Sequence, residues 1–97
     1  MTNEDILFAA GFYEGEGYCR IHRNQVIVQV TQKDVEILVR LQGIFGGRIH
    51  FWGNQNVSQW VIYPPQSISF LSKIYPYLSK RRKRQLEKVG ISVEKAA

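Results

Sequence analysis

Two stretches of the chain alternate between apolar and polar side chains, and each is followed by a segment with helical spacing. Residues 18 to 23 set Cys19 and Ile21 against Tyr18, Arg20 and His22. Residues 25 to 31 set Val26, Val28 and Val30 against Gln25, Ile27, Gln29 and Thr31. A period of two is that of a half-buried strand, and the short polar break at Asn24 predicts a hairpin. Residues 33 to 44 carry Val35, Leu38, Val39, Leu41 and Ile44, a helical spacing that Gly46-Gly47 ends. Alternation then returns. In residues 48 to 52, Ile49 and Phe51 are expected to face inward and Arg48, His50 and Trp52 outward. In residues 57 to 63, Trp60 and Ile62 oppose Gln59, Val61 and Tyr63, with Gly53-Asn54-Gln55-Asn56 as the turn between. Pro64-Pro65 breaks the chain. Residues 66 to 75 read as a helix with Ile68, Leu71 and Ile74 on one stripe. Pro76 interrupts it, and a last helix from Tyr77 carries Lys80-Arg81-Arg82-Lys83-Arg84.

The first segment breaks the pattern. Residues 2 to 16 predict a helix, with Thr2 or Asn3 as cap and Glu4 and Asp5 in the first turn, where negative charge is favoured. From Ile6 to Tyr13 it is apolar almost all round, so it is expected to be buried on most sides, in a core or in a dimer. Gly11 and Gly15 share one helical face, at a cost of about 2 kcal/mol against alanine. A chain accepts that cost where something must approach the backbone closely. Leu7, Ala10, Gly11 and Gly15 are therefore the expected dimer contacts. Glu16 follows at the helix C-terminus, where the macrodipole is already negative, and Gly17 is the expected C-cap. A contact face ending in a misplaced acid suggests a site in which two such acids meet.

The predicted order is helix, two strands, helix, two strands, helices. The expected fold is α+β, as a single domain over residues 1 to 90 followed by a loose tail over 91 to 97. Composition narrows the function. The chain has 97 residues and a net charge of +5, which suits a nucleic-acid partner. Its single cysteine rules out an internal disulfide, and no Cys/His cluster suggests zinc. No apolar run approaches a membrane span, and the polar, acidic start does not read as a signal peptide. An intracellular protein, cytoplasmic or organellar, with no membrane partner is expected.

The stretch Ala9-Ala10-Gly11-Phe12-Tyr13-Glu14-Gly15-Glu16-Gly17 resembles the motif of the LAGLIDADG homing endonucleases. Ala9 replaces the leading leucine, and Ala10-Gly11 match. Phe12 and Tyr13 fill the apolar places. Glu14 is the first acid, Gly15 the small residue, Glu16 the second acid and Gly17 the closing glycine. The αββαββα order is that family's core fold, so the resemblance covers nearly the whole chain. It implies a four-stranded antiparallel saddle whose concave face sits in the DNA major groove. For a single-motif chain it implies a homodimer, with the motif helices packed across a twofold axis. The implied reaction is hydrolysis of one phosphodiester on each strand of a long pseudo-palindromic double-stranded DNA site. The cofactor implied is Mg²⁺, or another divalent ion such as Mn²⁺, with no small-molecule cofactor.

The resemblance also assigns roles. Glu16 becomes the metal ligand, with the Gly15 carbonyl a second candidate, while Glu14 points elsewhere and is structural. Gln32 sits where some members place a polar residue that positions water, though it also reads as a loop residue ahead of the next helix. Pro76-Tyr77-Leu78 matches the signature that precedes the family's catalytic lysine. Counting on without a gap reaches Arg81; sliding by one, so that Gln85 fits the family's glutamine, reaches Arg82. Glu36 occupies a place where some members carry a basic residue. The expected DNA-reading set on the strands is Arg20, His22, Gln25, Gln29, Arg48, His50, Trp52 and Gln59, and Trp52 also reads as edge packing. Arginine can take guanine, and glutamine adenine, in the major groove. Lys80, Lys83 and Arg84 are expected on phosphate. A protein of another class fits the same fold: a non-catalytic nucleic-acid binder, either an RNA maturase or a DNA-binding regulator.

Overall fold

The computed structural model describes residues 1–90; the expected tail over 91 to 97 lies outside them. Helix α1 spans Asn3–Glu16 and runs straight into strand β1, Gly17–His22. Strand β2 (Gln25–Gln32), helix α2 (Val35–Phe45), strand β3 (Arg48–Trp52) and strand β4 (Val57–Ile62) follow. Helix α3 covers Gln66–Ile74, a short 3₁₀ turn Tyr75–Tyr77, and helix α4 covers Lys80–Glu87. The expected order is present, with one correction: the last helix starts at Lys80, not Tyr77. Pro76 holds the chain in the 3₁₀ turn, and Ser79 then caps α4 by accepting from the Arg82 amide. At the other end of the chain Thr2 caps α1 through a reciprocal pair with Asp5.

The four strands form one antiparallel sheet in the order β1-β2-β4-β3, so the two hairpins meet along their second strands. Register sorts the side chains onto two faces. Cys19 lies across from Val28, Val28 from Ile62, Val30 from Trp60, and Trp60 from Ile49. This is the inner face, and the helices cover it. Phe70 is the hub of the core: its ring lies 4.8 Å from Phe45 and 5.3 Å from Trp60. Trp60 donates its indole N–H to the Gly46 carbonyl at 2.8 Å, which meets the need of a buried indole. Gly47 beside it has φ +101°, and a Cβ there would lie 2.3 Å from Ile62 Cγ2, so only glycine fits.

Burial departs from simple alternation at the sheet margins. Phe51 and Ile21 lie on the inner face by register yet are 67% and 49% exposed, because the helical layer stops short of the hairpin tips. Ile27 and Val61 lie on the outer face yet are buried. Both are on central strands, with Arg20 across from Ile27, and Gln29 and Arg48 across from Val61.

Candidate functional site

Helix α1 has two sides. Ala9, Ala10 and Tyr13 pack into the chain's own core. Leu7, Gly11 and Gly15 are exposed, and a Cβ built on either glycine meets nothing within 4 Å. The glycine face is thus open in the single chain. Ala10 departs from the expected contact set: at 4% exposure it is a core residue, facing away from Gly11. The open face forms one wall of a cleft of about 410 Å³ lined by Leu7, Phe8, Gly11, Phe12, Gly15, Glu16 and Gln32. Phe8 and Phe12 contact each other at 5.0 Å, and the Arg40 guanidinium sits 3.8 Å from the Phe8 ring centroid. The cleft therefore brings together five residues singled out from the sequence: Leu7, Gly11, Gly15, Glu16 and Gln32.

Glu16 is exposed at the end of α1. Gln32 ends β2, across from Ser58 on the inner face, so it is a strand residue and not a loop residue. Gly15 lies in the last helical turn, where carbonyls lack a following helical N–H. Glu14 leaves the helix roughly 160° away from Glu16, as two residues at 3.6 per turn must. Its carboxylate accepts from the Ser79 amide at 2.6 Å and from the Ser79 hydroxyl at 2.8 Å. Those bonds, the amide first, hold the Glu14 carboxyl below its ordinary pKa, with Arg82 and Arg81 adding to the effect. Ser79 was not visible as a partner in the sequence, although a serine ahead of a basic helix is a readable N-cap.

Gly17 makes the junction possible. It caps α1 in an extended conformation, φ −76° and ψ 153°, and needs no left-handed backbone. Its role is space: a Cβ there would lie 2.2 Å from Tyr13 Cδ2. Burial raises the Tyr13 phenol pKa, and raises that of the neighbouring Cys19 thiol to about 11, so both stay neutral at neutral pH.

The basic run divides. Arg82 turns inward, its side chain 12% exposed, and donates from Nε to the Glu14 carbonyl at 3.0 Å and from Nη1 to the Gly17 carbonyl at 2.9 Å. Lys83 is half-buried, with its ammonium 5.5 Å from the Tyr75 ring centroid. Lys80, Arg81 and Arg84 are exposed. The outer face of the sheet carries the strand set as alternation required. Tyr18, Gln29, Val61 and Arg48 form one row across the sheet; Thr31, Gln59 and His50 form another. Arg20, His22, Gln25 and Trp52 share that face, and Gln59 donates to Thr31 at 3.3 Å. Trp52 is half exposed and lines a shallow hollow with Thr31, Gln55, Val57 and Gln59.

No family model and no curated protein matches the chain; the likeness lies in three dimensions. The homing endonuclease I-CvuI, solved in complex with DNA in the presence of magnesium, superimposes with a TM-score of 0.67 at 22% identity, over 91% of this chain and 67% of that one. The homing endonuclease I-TnaI gives 0.70 at 15% identity, over 87% and 67%. The group I intron-encoded homing endonuclease I-CeuI, complexed with DNA, gives 0.72 at 24% identity, over 91% and 53%. The chain has the LAGLIDADG homing endonuclease fold. It spans between about half and two thirds of the length of these three proteins.

In this fold α1 carries the stretch that resembles the motif, and the four strands form the antiparallel saddle sheet. Among the described residues no three of His, Cys, Asp and Glu come together to hold a metal ion. One chain contributes a single exposed carboxylate, Glu16, beside the Gln32 side chain and the Gly15 carbonyl. All of these present oxygen, the donor that a hard divalent cation prefers. The donor set therefore suits such an ion in kind, and one chain supplies a single carboxylate to it. Among the described residues no helix is long and apolar enough to cross a membrane.

Proposed function

We propose that the chain is a metal-dependent, site-specific DNA endonuclease that works inside the cell as a homodimer on a long pseudo-palindromic site. The observation that carries this reading is the open cleft: a bare glycine face on α1 that ends in an exposed Glu16 beside Gln32. A second copy fits that face, because two glycines without neighbours let helix backbones meet. A twofold axis through the contact brings two Glu16 carboxylates together and doubles the oxygen set. Glu16, the Gly15 carbonyl and Gln32 would then hold Mg²⁺ or Mn²⁺. A bound ion of this kind activates water and stabilises a leaving oxygen.

The chain's own residues supply the rest. Two saddles joined by the axis present mirrored reading faces, each with Arg20, His22, Gln25, Gln29, Arg48, His50, Trp52 and Gln59, to matching half-sites. Lys80, Arg81 and Arg84 meet phosphate from α4. A net charge of +5 per chain supports that contact. The test pairs cleavage rate with binding affinity on one cognate duplex. Glu16→Gln keeps the shape and removes the charge, so it should abolish cleavage while binding stays equal or tightens. Cutting that survives in this variant overturns the assignment.

A second reading has its own support. Arg82, one of the two positions that match the family's catalytic lysine, is occupied by backbone carbonyls, and Glu36 stands where some members carry a cation. Both favour a protein that binds nucleic acid without cutting it. Tight sequence-specific binding with no cleavage in Mg²⁺ or Mn²⁺ would establish that reading.

A further inference from the structure

We propose that Arg82 is a positioning residue for Glu16. The inference rests on the endonuclease reading, and it begins from a shortage. The last carbonyls of a helix lack donors, and their negative end of the dipole calls for a cation. Helix α1 has no basic residue in its last turn. Arg82 reaches in from α4 and supplies both needs at once.

Its two short bonds fall on the Glu14 and Gly17 carbonyls, which bracket Glu16 on either side. The same Nη1 also donates to Gln85 at 3.2 Å, and the guanidinium lies 5.4 Å from the Tyr13 ring centroid. The Tyr13 ring fills the space against Gly17. The backbone that carries Glu16 is thus held by an aromatic ring and a planar fork.

The contacts close into a ring. Glu14's carboxylate binds the amide and hydroxyl of Ser79, and the Ser79 hydroxyl accepts from the Arg82 amide at 3.2 Å. Arg82's guanidinium returns to the main chain of Glu14. Both ends of Glu14 are therefore tied to the first turn of α4. The geometry of Glu16 then depends on how α4 docks. Lysine is a point charge and cannot span two carbonyls as the guanidinium fork does. Arg81, the residue before it, is exposed and projects about 100° away round α4, so it serves as the control.

The experiment compares Arg82→Lys, Arg82→Gln and Arg81→Gln as full chains bound to a cognate duplex. Mn²⁺ affinity is followed by electron paramagnetic resonance, and local order by amide hydrogen exchange at residues 15 to 17. Loss of Arg82 should weaken Mn²⁺ binding by roughly 10-fold or more, the range typical of groups that orient a ligand. Exchange at residues 15 to 17 should quicken, Arg82→Lys should restore only part of the affinity, and DNA affinity should hold. Arg81→Gln should leave Mn²⁺ affinity and exchange unchanged. Should Arg82→Gln fail to fold, Arg82→Lys keeps the charge and decides the matter. Wild-type Mn²⁺ affinity and exchange in Arg82→Lys would overturn the proposal, as would a shifted Mn²⁺ affinity in Arg81→Gln. The two readings fail separately: a wild type that binds no Mn²⁺ sinks the endonuclease assignment, while exchange at residues 15 to 17 still decides whether Arg82 orders the backbone at Glu16.

Discussion

Two glycines in the same motif should respond to alanine in opposite directions. At Gly17 the added methyl would sit 2.2 Å from Tyr13 Cδ2, 2.6 Å from Cγ and 2.7 Å from Cε2. The ring cannot easily retreat, because Tyr13 is fully buried and packs edge-on against Phe70 at 6.1 Å. Forcing a group into a filled core costs about 1–3 kcal/mol. Backbone strain adds nothing, since Gly17 has an ordinary extended conformation. For a domain of this size that lowers the melting temperature by at least about 4 °C. At Gly11 the methyl meets nothing within 4 Å, and alanine in a helix interior gains about 1 kcal/mol over glycine. Gly11→Ala should therefore stabilise the folded chain. Thermal melts at several protein concentrations separate this from any effect on association, because only the latter changes with concentration. A Gly17→Ala protein that melts with the wild type would refute the steric argument, and a destabilised Gly11→Ala at the lowest concentration would mean that its face is not open.

Further outcomes follow from other parts of the molecule. Gly11→Leu should prevent the helix contact and give monomer or aggregate in sedimentation; an intact dimer would place the interface elsewhere. Arg20→Ala and Arg48→Ala should each relax preference at particular base pairs by about 1–3 kcal/mol, whereas Arg84→Ala should weaken all sequences alike and flatten the salt dependence. Uniform losses at all three would mean that the saddle does not read sequence. Glu14 has a depressed pKa through its bonds to Ser79, so its contribution to stability is present above the ordinary carboxylate pKa and is lost as pH falls through the lowered folded value. Glu14→Gln should flatten that acid limb in pH-dependent denaturation, and an unchanged limb would remove Glu14 from the clasp.

What the sequence revealed and what it hid have different physical origins. Arg20, Gln29 and Arg48 could be assigned to one face because successive strand residues must alternate. Gly11 and Gly15 announced an open face because glycine is costly in a helix. Ala10 was misplaced for a related reason: in a segment apolar all round, periodicity cannot tell core from contact. Phe51 followed the alternation but not the burial, since the reach of the helices is a tertiary fact. Arg81 and Arg82 are alike as letters. Only the fold, by bringing residues 65 or more apart together at Glu14, Gly17, Ser79 and Arg82, gives one of them to the backbone and leaves the other exposed.

The seamless passage from α1 into β1 has a mechanical consequence for the proposed dimer. With no loop between them, the contact helix and the reading sheet move as one lever. The distance between the two saddles is then fixed by the thickness of whatever occupies Gly11 and Gly15. A base-pair step is only about 3.4 Å. The smallest side chains in the molecule would thus act as calipers, setting which spacing of half-sites both saddles can grip together.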